Sequence, residues 1–180
     1  SDYSGSNNSG ISNGTIVGNT IWINSSGCIR GGCYRFAGNN DVNYINITNR
    51  NDFNFSSNST FTITLWFNAS DIGTSLGTLI SHADASNTNS WILYYTESID
   101  RVIFDVRTNT SGQNIEAAMS ANTAPGNRTH FLVVMFRRIN TTSVGLEIWL
   151  NGVQGANVTS SRNVSLLTKM DTLIGDSSNT

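Results

Sequence analysis

Charge is the first thing this chain is short of. Lys, Arg, Asp and Glu make up only 12% of its 180 residues, ten basic against twelve acidic. No basic stripe is available to displace counterions from a phosphate backbone, so nucleic acid is not an expected partner. Long apolar runs are missing as well. The longest, Phe131 to Phe136, falls far below the roughly 20 residues a membrane-spanning helix needs, and no basic-then-apolar leader opens the chain. A single proline, no block of like charge and no fixed-period repeat argue against a linker-rich, disordered or solenoid chain. The length suits one domain, residues 1–180, built around one core.

Neutral polar residues stand where charge is absent: 25 Asn, 24 Ser and 20 Thr. Twelve asparagines are followed two places on by Ser or Thr with no intervening proline. They are Asn7, Asn13, Asn24, Asn46, Asn54, Asn58, Asn68, Asn109, Asn127, Asn140, Asn157 and Asn163. This composition alone generates about six such sequons by accident, so the chain has about double the passive number. Read as acceptors, these asparagines carry N-linked glycans, whose hydrated bulk supplies the solubility that charge does not. The competing reading is a surface so rich in Asn, Ser and Thr that sequons arise passively. Acceptor asparagines place the protein outside the cell, secreted or at the cell surface.

Cys28 and Cys33 are the only cysteines. A structural zinc site needs two further soft ligands, and His82 and His130 lie in unrelated segments. The intervening Ile-Arg-Gly-Gly can curl enough to bring the two α-carbons within bridging distance, and a disulfide suits the same oxidising compartment as the sequons. Two buried free thiols are the alternative.

Period-two alternation dominates the remainder. Phe61, Ile63, Leu65 and Phe67 alternate with Thr62, Thr64, Trp66 and Asn68, which predicts a strand with one face in a core and Asn68 on the other. Further strands are predicted at Val42–Ile47, Leu79–Ser81, Trp91–Tyr95, Val102–Arg107, Phe131–Phe136 and Leu146–Leu150. Asn151-Gly152 supplies the two positive φ angles of a type I′ hairpin turn, so a strand over Val153–Val158 follows. No segment reads as an amphipathic helix; Asn114–Ser120 reads as strand or loop. Many short strands separated by Gly, Asn and Ser turns define an all-β fold, an antiparallel two-sheet β-sandwich or jelly roll.

The order of several soft motifs adds to this. Asp2-Tyr3-Ser4-Gly5, Tyr34-Arg35-Phe36-Ala37-Gly38, Phe61-Thr62-Ile63-Thr64-Leu65-Trp66-Phe67, His130-Phe131-Leu132-Val133-Val134, Leu146-Glu147-Ile148-Trp149-Leu150-Asn151-Gly152 and Leu173-Ile174-Gly175 follow one another along nearly the whole chain. In that order they resemble the laminin G-like domains of the concanavalin A-like jelly-roll superfamily. The resemblance implies a terminal strand before the Asp-x-Ser-Gly turn and another after the Ile-Gly. This sequence has neither, so it reads as an excerpt of a longer surface protein or as a sandwich completed by a strand from a neighbour.

Sugar hydrolases of the superfamily need a pair of carboxylates across the scissile bond. The three glutamates, Glu97, Glu116 and Glu147, form no Glu-x-Asp-x-x-Glu strand, and Asp105 stands alone among apolar and basic neighbours. Enzymatic activity is therefore not expected. The resemblance instead implies binding or adhesion, with carbohydrate as the leading ligand. Among Trp22, Trp66, Trp91 and Trp149, the alternation turns Trp66 and Trp149 outward, where an indole can stack on a sugar ring; the competing role for any strand tryptophan is packing. Many laminin G-like domains also hold calcium, which directs attention to Asn39, Asp41 and Asp176, residues equally suited to ordinary Asx turns. The expected partners are a glycan or protein ligand at the cell surface, or neighbouring copies of the chain assembled by strand sharing into a glycosylated layer or filament.

Overall fold

A computed structural model describes residues 14–24, 28–29, 31–36, 43–47, 59–69, 76–83, 90–108, 113–162, 164 and 171–175. Thirteen strands account for most of them: β1 Gly14–Val17, β2 Ile21–Asn24, β3 Gly32–Arg35, β4 Tyr44–Ile47, β5 Phe61–Asn68, β6 Gly77–His82, β7 Trp91–Thr96, β8 Arg101–Arg107, β9 Asn114–Ala118, β10 Thr129–Arg138, β11 Val144–Leu150, β12 Val153–Ser160 and β13 Thr172–Gly175. All described pairings are antiparallel. A seven-stranded sheet runs β1-β4-β13-β6-β7-β8-β9, a four-stranded sheet runs β12-β11-β10-β5, and β2 pairs only with β3.

The alternation that predicts strands also sets the faces. In the four-stranded sheet His130, Leu132, Val134 and Phe136 point inward from β10, and Leu146, Ile148 and Leu150 from β11, all of them buried. Across the sandwich they meet Trp91, Leu93 and Tyr95 of β7, Val102, Phe104 and Val106 of β8, and Ile115 and Ala117 of β9 in one apolar cluster. Burial of each large aliphatic or aromatic side chain here contributes about 1.5–3 kcal/mol relative to exposure. Gly155 lets β12 close onto the end of β9, because a Cβ at that position would stand 2.6 Å from Met119 Sδ and 3.0 Å from the Ala118 carbonyl oxygen.

The β11–β12 turn is the one the Asn-Gly pair predicts, with φ 52° at Asn151 and 83° at Gly152. Asn151 also reaches sideways. Its Oδ1 accepts from the Phe131 amide at 2.9 Å, and its Nδ2 lies 3.0 Å from His130 Nδ1. His130 Nε2 stands 3.0 Å from the Pro125 carbonyl oxygen, so both ring nitrogens of this buried histidine are engaged in holding the turn.

The two sheets are unequal, and β5 shows it. Its inward residues Ile63, Leu65 and Phe67 stay half-buried, whereas the β10 residues beside them are buried outright. Among the described strands β5 pairs only with β10.

Candidate functional site

Each sheet presents one face away from the core, and the two faces differ in chemistry. On the four-stranded sheet the cross-strand register sets Trp66 beside Phe131 and Val133 beside Trp149. Trp66 is 57% exposed, and its ring tilts against Phe131 with centroids 4.7 Å apart. Trp149 is half-buried. The two tryptophans that the alternation turns outward thus share one face, with Phe131 and Val133 between them. Trp91 lies in the core, stacked on His82 at 5.7 Å, and Trp22 sits on the β2–β3 hairpin against Tyr34 at 4.9 Å.

Sequon asparagines border the aromatic face. Asn68, two residues beyond Trp66 on β5, is exposed opposite Thr129, and Asn157 on β12 is exposed opposite Glu147. Asn24, Asn127 and Asn140 are also exposed. The Asn140 Oδ1 accepts from both the Thr142 amide at 2.9 Å and the Thr142 hydroxyl at 3.2 Å, an Asx turn that leaves the amide nitrogen toward solvent. Asn46 differs from all of these: half-buried in β4, it donates from Nδ2 to Asp171 Oδ2 at 2.9 Å. Asn7, Asn13, Asn54, Asn58, Asn109 and Asn163 lie outside the described residues.

Cys28 and Cys33 form a disulfide, with α-carbons 5.6 Å apart, that closes the β2–β3 hairpin. A two-stranded hairpin is marginal on its own, and here the cross-link adds to the Trp22–Tyr34 cross-strand pair in holding its shape. No helix among the described residues is long and apolar enough to cross a membrane. Asn39, Asp41 and Asp176 fall outside the described residues, so no cation chemistry is built on them. Among the described residues no group of three or more His, Cys, Asp or Glu side chains could hold a metal ion.

The outward face of the seven-stranded sheet is charged, and its arrangement is not visible in the linear sequence. Register carries one row straight across the sheet, from Asn46 through Leu173, Ser81, Ile92 and Asp105 to Glu116. Asp105, isolated in the sequence, therefore has a carboxylate neighbour on the adjacent strand. Arg101, Ile103 and Arg107 share its face by alternation along β8, and Tyr94 pairs with Ile103. Arg107 Nε meets Asp105 Oδ2 at 3.2 Å, and an Arg101 guanidinium nitrogen stands 3.8 Å from Glu116 Oε1.

Tyr94 registers the field of the whole group. Its phenol is pushed up to about 12, first by burial and then by the negative charges of Glu116 and Asp105, with Arg101 and Arg107 opposing. It therefore stays a neutral hydroxyl, both donor and acceptor, at physiological pH. Ile92 and Ile103 are buried at 1% and 3% exposure although they point away from the core. They form an apolar floor between the polar groups. Among the described residues, four buried side-chain atoms on this face have no hydrogen-bond partner: Asn46 Oδ1, Thr96 Oγ1, Arg101 Nε and Asp105 Oδ1. Thr96, Arg101 and Asp105 stand on the adjacent strands β7 and β8, whereas Asn46 lies apart on β4, beyond β6 and β13; buried polar atoms of this kind are commonly completed by ordered water.

A two-sheet antiparallel sandwich with such faces is a lectin-like jelly roll by class. The chain belongs to the concanavalin A-like lectin/glucanase superfamily: residues 38–180 match its laminin G-like family model. Among solved structures it is similar to the endo-β-1,4-glucuronan lyase of the fungus Trichoderma reesei, with a TM-score of 0.59 at 6% identity over 90% of this chain and 74% of the lyase. It is also similar to the carbohydrate-binding module CBM66 from Bacillus subtilis, with a TM-score of 0.45 at 15% identity over 91% of this chain and 92% of the module. No curated protein sequence matches the chain.

Proposed function

We propose that this domain is a non-catalytic saccharide-binding module of a secreted or cell-surface glycoprotein, and that it holds its ligand on the outward face of β7, β8 and β9. The observation that carries this is Asp105. At 4% exposure it anchors Arg107 from beneath, on a face where Tyr94, Arg101, Arg107 and Glu116 stay partly exposed. Sugar hydroxyls donate to Glu116 and their oxygens accept from the guanidinium groups of Arg101 and Arg107, the second held in place by buried Asp105, while the apolar face of a pyranose lies on Tyr94. The Cys28–Cys33 disulfide and the exposed sequon asparagines support an extracellular setting.

The test is calorimetric titration with a neutral β-glucan and with a glucuronan, the second chosen because the two arginines can pair with a uronate and a glucuronan lyase shares the fold. The expected result is saturable binding of at least one polymer, weakened about tenfold or more in Asp105→Asn and Tyr94→Ala. Trp149→Ala should bind as the wild type does. Loss of binding in Trp149→Ala with none in Asp105→Asn would move the site to the other face, and no binding by either polymer or by wider panels would sink the proposal.

Sugar-active chemistry on the same face is a second reading, favoured by the cross-strand placement of Asp105 and Glu116. Opposed side chains in a sheet stand about 5 Å apart at Cβ, within reach of the separations used by glycosidases. Against it stands the engagement of each carboxylate by an arginine, Asp105 by Arg107 and Glu116 by Arg101. New reducing ends or unsaturated uronates after incubation with either polymer would put it ahead. The half-buried inward residues of β5, which pairs only with β10 among the described strands, favour a third reading, a surface-layer subunit that gains a strand from a neighbour. A mass that grows with concentration in light scattering would support it.

A further inference from the structure

On the four-stranded sheet the exposed Trp66 rests against the half-buried Phe131. Trp66 leaves 57% of its surface in solvent although its strand neighbours on that face, Thr64 and Asn68, are polar. Its ring is also held in place, because Phe131, the cross-strand partner, braces it at 4.7 Å and 38°. A rigid, braced and exposed indole has already lost the rotamer freedom that binding would otherwise cost. What lies within reach decides the occupant. Asn68 is two residues along the same strand, hence on the same face and about 7 Å away, and is exposed as a sequon asparagine opposite the short Thr129.

From this geometry we infer that Trp66 and Phe131 are the seat of the first sugar of an N-linked glycan on Asn68. The glycosidic nitrogen fixes that sugar to the end of the asparagine side chain. Its ring lies back along β5, and its apolar C–H face covers the indole. The aromatic face is then closed by the chain's own modification and not by an external ligand. The inference rests on the N-glycosylation proposed above.

A four-variant cycle in a host that attaches N-acetylglucosamine-linked chains tests it: wild type, Asn68→Gln, Trp66→Ala and the double variant, all other sequons kept and occupancy at Asn68 established by glycopeptide mapping. Wild type should melt about 2–4 °C above Asn68→Gln, and trimming the chain to its first sugar should preserve that difference. Trp66→Ala and the double variant should melt together. The same four proteins from a host without N-glycosylation should show no dependence on residue 68 beyond the substitution itself. A readout that needs no Trp66 variant is acrylamide quenching, which should be weaker in glycosylated wild type than in Asn68→Gln. A bare Asn68 overturns both the inference and the acceptor assignment at this position. A glycosylated Asn68 with equal melting and quenching, or with the same shift in the Trp66→Ala background, overturns the seat alone.

Discussion

The two outward faces of the sandwich are built by the same alternation and carry opposite chemistry. The four-stranded face is neutral and aromatic where Trp66, Phe131, Val133 and Trp149 meet, and asparagines of the glycosylation type stand at its borders. The seven-stranded face is charged over β8 and β9, sits on the apolar pair Ile92 and Ile103, and leaves polar atoms unpaired. The lesson is that exposed aromatic area and a row of cross-strand carboxylates and arginines need not coincide. A module can close its apolar face with something of its own while keeping the polar face for a partner.

The sheets themselves should separate under mutation by the largest margin. Phe104, completely buried on β8, and Phe67, half-buried on β5, are the same side chain in two settings. Phe104→Ala should cost about 3–5 kcal/mol in urea unfolding, and Phe67→Ala clearly less. Equal costs would mean that the core is as closed at β5 as at β8.

A smaller effect should appear on the alkaline side. The Tyr94 phenol rises to about 12 in the folded chain from its usual value near 10, and the Tyr95 phenol is raised as well, by burial and by its 2.5 Å hydrogen bond to Asp100. An unfolded chain loses these protons first as pH rises. The contribution is therefore fully present below about pH 10 and is lost as pH climbs toward 12 and beyond. Unfolding midpoints should fall over that window, less steeply in Tyr94→Phe, with the Tyr95 portion remaining. A profile unchanged by Tyr94→Phe would mean that neither burial nor the charges of Glu116 and Asp105 hold this phenol up.

The smallest expected signal is an absence. Asn140 holds its amide nitrogen toward solvent, whereas Asn46 spends its own on Asp171 in the row that leads to Asp105. Glycopeptide mapping should find Asn140 occupied and Asn46 bare. A glycan on Asn46 would place modification on the charged face too and erase the contrast between the faces.

Much of the four-stranded sheet was legible in the sequence. β5, β10, β11 and the Asn-Gly hairpin follow from period-two patterning and turn chemistry, and so does the outward aim of Trp66 and Trp149. The charged face was not. β8 is buried on both sides from Val102 to Val106, so its apolar run hides which residues share a face with Asp105. Glu116 comes from a neighbouring strand in a segment of weak pattern, and only the register Asp105 to Glu116 brings the two together. β1, β2 and β3 are four residues each, too short for alternation to stand out from noise. The hairpin of β2 and β3 was signalled only by its cysteines.

The position of β13 bears on how the molecule comes into being. Its four residues, Thr172–Gly175, lie in the middle of the large sheet, bonded to β4 on one side and β6 on the other. Its neighbour Asp171 makes a contact that spans 125 residues of chain with Asn46. A ribosome delivers β4 and β6 long before it delivers β13, and until then each presents an open edge to whatever else is in the compartment. Closure of the large sheet is thus a late and slow event of high contact order. During that interval, any sugar already attached along the nascent chain would do its first service as a shield against other chains.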